Sequence, residues 1–210
     1  MKQLKQTLIT LTLACFGIFS QNAVAETPFY KIEVIVFESL ALSGWTEEYW
    51  PEDTELPNTS QSSSVFNTNH KPLWIRNATT ELTNKADALN RKGYRVLFHQ
   101  AWTQAAYPNK NAHKVLIEGN SNYGTSFLGT VRLYKTRYAH VDFDLEFERL
   151  IPQKVRDVFA KQHNINTSDL ANSWRFDVQE SRKIKPTELH YIDHPLFGIL
   201  VQITPISTDS

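Results

Sequence analysis

The strictest alternation of apolar and polar positions falls in the second half of the chain. Ala139, Val141, Phe143, Leu145 and Phe147 interleave with Tyr138, His140, Asp142, Asp144, Glu146 and Glu148. A period of two marks a strand with one dry face and one wet face. Leu128 to Lys135 forms a second strand just before it. Directly opposed residues of a hairpin share a face, so Val131 and Leu133 need odd-numbered partners. That parity requires an odd loop, such as Lys135-Thr136-Arg137, or a bulge. The last apolar run is of another kind. Phe197, Ile199, Val201 and Ile203 lie on one side, and Leu196, Gly198, Leu200 and Gln202 on the other. With both sides mostly apolar, it reads as a strand covered on both faces near the middle of a sheet.

The same reading places a strand over Phe29 to Phe37, with Ile32, Val34 and Val36 on one face and Glu33, Ile35 and Phe37 on the other. Tyr94 to Trp102 is a further strand with Tyr94, Val96, Phe98 and Trp102 on one face, Val115 to Glu118 a short one, and Trp174 to Gln179 another with Trp174, Phe176 and Val178 inward. Thr80 to Arg91 predicts a helix capped by Thr80 or Thr83 and ended by Gly93, with Leu82, Ala86 and Leu89 at helical spacing. Val155, Val158 and Phe159 predict a second, short helix that ends near Asn164. Strand, long connection with helix, then strand suggests a crossover in which the first two strands run parallel. Between them, residues 52–72 are rich in Ser, Thr and Asn and lack apolar periodicity, which predicts a long flexible loop. The class is α+β: one mainly antiparallel sheet of about seven strands, open to strong curling, with two helices and the C-terminal strand central.

Composition narrows the setting. Lys2 and Lys5, the uncharged apolar stretch Thr7 to Ser20 and the small residues Ala23-Val24-Ala25 form a secretory leader, with cleavage expected between Ala25 and Glu26. The apolar stretch is short for a membrane anchor, and Thr12 stands where lipidation at Cys15 would need an aliphatic residue. Losing Lys2 and Lys5 with the leader leaves 20 basic side chains against 22 acidic ones. That balance carries no footprint for nucleic acid or for an anionic membrane surface. The only cysteine, Cys15, goes with the leader, so residues 26–210 hold neither a disulfide framework nor a thiolate metal site. The expectation is one exported domain over residues 26–210, with no membrane insertion and no cofactor.

Candidate chemistry is sparse. His190-Tyr191-Ile192-Asp193-His194 approaches the inverted zinc-protease pattern, with Asp in place of Glu. Chelation by both histidines needs them one helical turn apart, whereas Pro195, Gly198 and the β-branched and aromatic flanks point to an extended chain. Residues four apart on a strand are separated by about 13 Å. Downstream, only Asp209 remains as an acidic third ligand. A structural role therefore fits the histidines better, as hydrogen-bonding groups where the chain turns into the last strand. No Gly-x-Ser-x-Gly elbow, phosphate-cradling loop or Cys/His dyad is present. Trp45, Tyr49 and Trp50 beside Glu47 and Glu48 could stack on sugars, but a Trp-Pro corner more often closes a loop onto the core. The candidate binding residues are Tyr138, His140, His190, Tyr191, Asp193, His194 and Trp102. Of these, the histidines, Tyr191 and Asp193 are expected to form a polar rim at one end of the sheet.

Five segments, taken in order, resemble the CsiV family of exported peptidoglycan-binding proteins. They are Lys31–Glu38, Trp50-Pro51, Tyr94–Trp102, Gly129–Leu145 and Glu188–Pro205. The most specific are Arg137-Tyr138-Ala139 before His140 and the block His190-Tyr191 to Asp193-His194-Pro195-Leu196-Phe197-Gly198. The resemblance implies a non-catalytic periplasmic factor that binds peptidoglycan. It also implies support for a bifunctional penicillin-binding synthase through that enzyme's outer-membrane lipoprotein activator. The competing expectations are a protein-only assembly factor and a metal-dependent wall hydrolase built on His190, Asp193 and His194.

Overall fold

A computed structural model describes residues 27–64 and 72–207. The expected leader and its Ala25–Glu26 junction lie outside the described residues. The strands are β1 (Phe29–Ser39), β2 (Ser62–Ser64), β3 (Ile75–Ala78), β4 (Tyr94–Ala105), β5 (Lys114–Asn120), β6 (Thr125–Lys135), β7 (Ala139–Leu150), β8 (Ser173–Ile184), β9 (Leu189–Asp193) and β10 (Phe197–Ile206). Helices α1 (Thr83–Arg91) and α2 (Arg156–Gln162) complete the set. Strands β3-β4-β1-β10-β9 make one five-stranded sheet and β2-β5-β6-β7-β8 a second. Every pairing is antiparallel except β2 with β5.

The class is the expected α+β, but the sheet is two sheets, and ten strands replace about seven. Strands of three and four residues, such as β2 and β3, are too short to show a period. In the stretch read as a polar loop, Ser62–Ser64 pairs with β5, and residues 65–71 lie outside the described residues. Strand β10 is an inner strand between β1 and β9, while the middle position belongs to β1. Strands β1 and β4 run antiparallel, not parallel. The chain between them visits the second sheet as β2 and returns through β3 and α1, so it is no simple crossover helix.

The two sheets face each other across one apolar core. Phe147 of β7 stacks on Phe197 of β10 with ring centroids 4.0 Å apart, and Phe98 meets Phe127 edge-on at 6.0 Å. The hairpin parity holds. Lys135 pairs with Ala139 around a three-residue loop, so Val131 faces Phe143 and Leu133 faces Val141. Strand β4 breaks the expected alternation. Its register with β1 passes from Val36–Phe98 to Phe37–Val96, a bulge that skips Leu97. Phe98 and Trp102 therefore enter the core, while Tyr94 and Val96 turn to the opposite face. There they meet Ile35, Phe37 and the buried residues Leu82 and Ala86. In α2, Phe159 and Ala160 are buried, and Val158 is exposed instead of packed.

Two buried carboxylates on β1 tie the elements together. Neither threonine caps α1; Glu33 does, its Oε1 accepting from the backbone N–H of Leu82 at 2.8 Å and of Glu81 at 2.9 Å. His99 Nε2 lies 2.7 Å from the same oxygen. Glu38, on the core face, accepts from Arg95 at 2.6 Å and Thr125 at 2.6 Å and pairs with Arg149 at 3.2 Å. It thereby links the two sheets. Burying a carboxylate is tolerated only with such partners.

Candidate functional site

The expected polar rim divides among separate places. Alternation along β9 sends neighbouring side chains to opposite faces. His190 pairs with Val201 and shares its inner face, and its Nε2 accepts from the Lys185 N–H at 3.2 Å. Tyr191 and Asp193 lie on the outer face. The Tyr191 hydroxyl donates to Asp193 Oδ1 at 2.5 Å, and its ring stacks on Phe37 at 6.2 Å. Burial first, then this hydrogen bond, pushes the Tyr191 phenol above its ordinary range. His140 is elsewhere, stacked on Tyr134 at 5.0 Å and paired with Lys183 of β8. Tyr138 closes the β6–β7 loop with its ring half exposed, Lys183 Nζ 3.4 Å and Arg137 5.5 Å from its centroid. Trp102 is fully buried, its indole N–H donating to Gln104 at 2.7 Å, so it offers nothing to a ligand.

His194 stands apart from these. It follows the end of β9 and packs against Trp50 at 4.9 Å and Phe197 at 5.4 Å. Its Nδ1 accepts from the Leu196 N–H at 3.2 Å. Burial lowers its pKa to about 4 against the opposing charge of Asp193, so the ring is neutral near pH 7. With Nδ1 accepting, the hydrogen sits on Nε2, which can donate but cannot act as a base. His190 and His194 thus lie on extended backbone, each with one nitrogen already engaged by a backbone N–H, an arrangement unlike a chelating pair. Among the described residues, no group of three His, Cys, Asp or Glu side chains is placed to hold a metal ion.

Trp50 reaches His194 because the segment before it is fastened to the sandwich end. A single 3-10 turn, Ser43–Trp45, buries the Trp45 indole completely. Trp50 Nε1 donates to the Gly44 carbonyl at 3.1 Å, and Trp174 Nε1 donates to the Pro51 carbonyl at 3.1 Å. Gly44 itself is required: a Cβ there would stand 2.5 Å from the Pro195 carbonyl oxygen. Between this segment and β8 lies a cavity of about 130 Å³, lined among others by Tyr49, Trp50, Thr54, Arg175, Asp177 and His194.

The lining is chemically unspent. Thr54 Oγ1 is buried without a hydrogen-bond partner. Among the described residues, the side chains of Arg175 and Asp177 have no ion-pair or hydrogen-bond partner. Guanidinium and carboxylate offset each other, so the cavity presents donors, acceptors and aromatic walls without a strong net field. That suits recognition of an uncharged polar group. Sequence reasoning missed Thr54, Arg175 and Asp177. The last two are the outward members of the Trp174–Gln179 alternation, whereas Thr54, inside the polar stretch, carried no signal.

A family model described as peptidoglycan-binding protein, CsiV, matches residues 7–206. The chain belongs to the CsiV family. Neither the curated proteins nor the solved structures include a match to it. Of the segments that carry the CsiV resemblance, Trp50-Pro51 and Glu188–Pro205 meet at the cavity through Trp50, Pro51 and His194. Lys31–Glu38 and Tyr94–Trp102 lie in adjoining strands of the first sheet, and Gly129–Leu145 forms the hairpin of the second.

Proposed function

We propose that this chain is a non-catalytic periplasmic protein that binds peptidoglycan. In that role it supports wall synthesis by a bifunctional penicillin-binding synthase and its outer-membrane lipoprotein activator. The observation that carries the reading is the family match, which spans residues 7–206 and bears a peptidoglycan-binding description. The partners follow from the family resemblance. The leader-like N-terminus supports the compartment, and the cavity beside Trp50 and His194 supplies a surface suited to sugar or amide groups.

The test is co-sedimentation of the leader-free protein with purified sacculi. Depletion of the supernatant is expected, and full recovery there counts against the reading. Release of soluble muropeptides, abolished by a chelator, would favour a hydrolase. Co-purification with the synthase or its activator, lost when the protein is omitted, tests the partnership separately.

A further inference from the structure

We infer that the cavity between Trp50 and β8 is a subsite for the acetamido group of an N-acetylated sugar. The inference rests on the peptidoglycan-binding reading, since that polymer's glycan strand is built from N-acetylated hexosamines. Size is the first argument. A cavity of about 130 Å³ has room for roughly four water-sized groups, at about 30 Å³ each. An acetamido substituent has four heavy atoms and fits within that space.

Chemistry is the second argument. An acetamido group brings one methyl, one carbonyl acceptor and one N–H donor. Trp50 and Tyr49 give aromatic wall for the methyl. His194 offers an Nε2–H for the carbonyl, its other nitrogen being held by the Leu196 N–H. Thr54 Oγ1, partnerless and buried, can donate to that carbonyl or accept from the amide. Asp177, also lining the cavity, can accept the amide hydrogen. A free carboxylate or ammonium group would find Arg175 and Asp177 of opposite sign side by side, which favours neither.

Sequence distance is the third. Trp50-Pro51 and His194-Pro195 are brought together by a backbone approach that only glycine at position 44 allows. Packing alone would be served by filling the space; here the buried Thr54 hydroxyl borders it without a partner, beside the His194 ring and the Asp177 carboxylate.

The experiment compares two neutral tetrasaccharides, chitotetraose and cellotetraose, which differ in having an acetamido group or a hydroxyl at each ring's second carbon. Binding is followed by NMR on the leader-free protein, with sacculus co-sedimentation run alongside. Chitotetraose is expected to shift the Trp50 indole and Thr54 amide signals, and cellotetraose to bind about tenfold more weakly or worse. Thr54→Val, which keeps shape and removes the hydroxyl, is expected to weaken chitotetraose about fivefold or more and leave cellotetraose unchanged. Equal binding of the two sugars, or shifts away from Trp50 and Thr54, overturns the subsite. If sacculi still retain the protein in that case, the peptidoglycan reading survives alone. If sacculi do not retain it either, both fall. Cavity signals that move with neither sugar mark a water-filled void and also overturn the inference.

Discussion

Two imidazoles flank the segment that runs from Trp45 to Thr54, and they differ in what surrounds them. His163 is buried among Phe159 at 4.3 Å, Tyr49 at 4.6 Å and Trp174 at 4.8 Å, and both its ring nitrogens lack a partner. His194 is packed against aromatic rings as well, but one nitrogen is held by the backbone and the ring borders a cavity. Burial lowers the pKa of both. Burial, aromatic neighbours and a suppressed charge are therefore common to a histidine closed in by packing and to one that borders a cavity. What separates them is the space next to the ring and the unengaged polar groups around that space.

Substitution at Trp50 should cost the most. Trp50→Ala removes the ring between Phe176 and His194 and should cost about 3–5 kcal/mol, read from urea unfolding. A loss under about 1 kcal/mol would mean that the segment is not fastened as described. The opposite sign is expected on the other side. His163→Phe replaces two partnerless buried nitrogens with carbon and should stabilise by about 1 kcal/mol at pH 7. Destabilisation there would show that the nitrogens have a role the packing does not reveal.

Acid should destabilise the fold through both rings. Both folded-state pKa values lie below the ordinary histidine value of about 6.5, so the unfolded chain takes up protons first. The contribution of these rings to stability is complete above about pH 6.5 and is lost as pH falls, for His194 down to about 4. Urea midpoints should drop between pH 7 and pH 5, and less steeply in His163→Phe. The smallest effect is expected at the exposed hairpin loop. Tyr138→Ala removes ring contacts with Lys183 and Arg137 and should change stability by less than about 1 kcal/mol. Its retention by sacculi should match the wild type if the cavity beside Trp50 is the contact, and a severe loss would move the site to the hairpin.

How far the fold could be read in advance depends on where the information lay. The β6–β7 hairpin was legible down to loop parity, because one dry face forces Val131 and Leu133 opposite Phe143 and Val141. The faces of β4 were not, since a bulge at Leu97 reverses the alternation without changing the residue types around it. The α1 cap was misplaced for a related reason. Thr80 and Thr83 are the local signal, but Glu33, far away in sequence, reaches the helix start through the tertiary fold. The site was visible only in pieces. Trp50-Pro51 and His194-Pro195 each stood out, yet their meeting depends on the path of residues 43–54 along β8. Trp102 shows the converse error, since its place on an apolar face already argued for the core, where it lies.

Sheet order also bears on how the molecule assembles. The second sheet grows mainly from neighbours in sequence, β5 through β8, with tight turns joining β5 to β6 and β6 to β7 and a longer connection through α2 joining β7 to β8. Strand β1 must wait for β4 and then for β10, whose Ile206 pairs with Phe29 at the far end of the chain. Loop closure over such distances is slow, so the hairpin sheet is expected to form first. Until β10 arrives, the largely buried strand β1 keeps an open hydrogen-bonding edge, a template for pairing with other chains. A chain truncated before Phe197 should therefore aggregate, even with every residue of the second sheet in place.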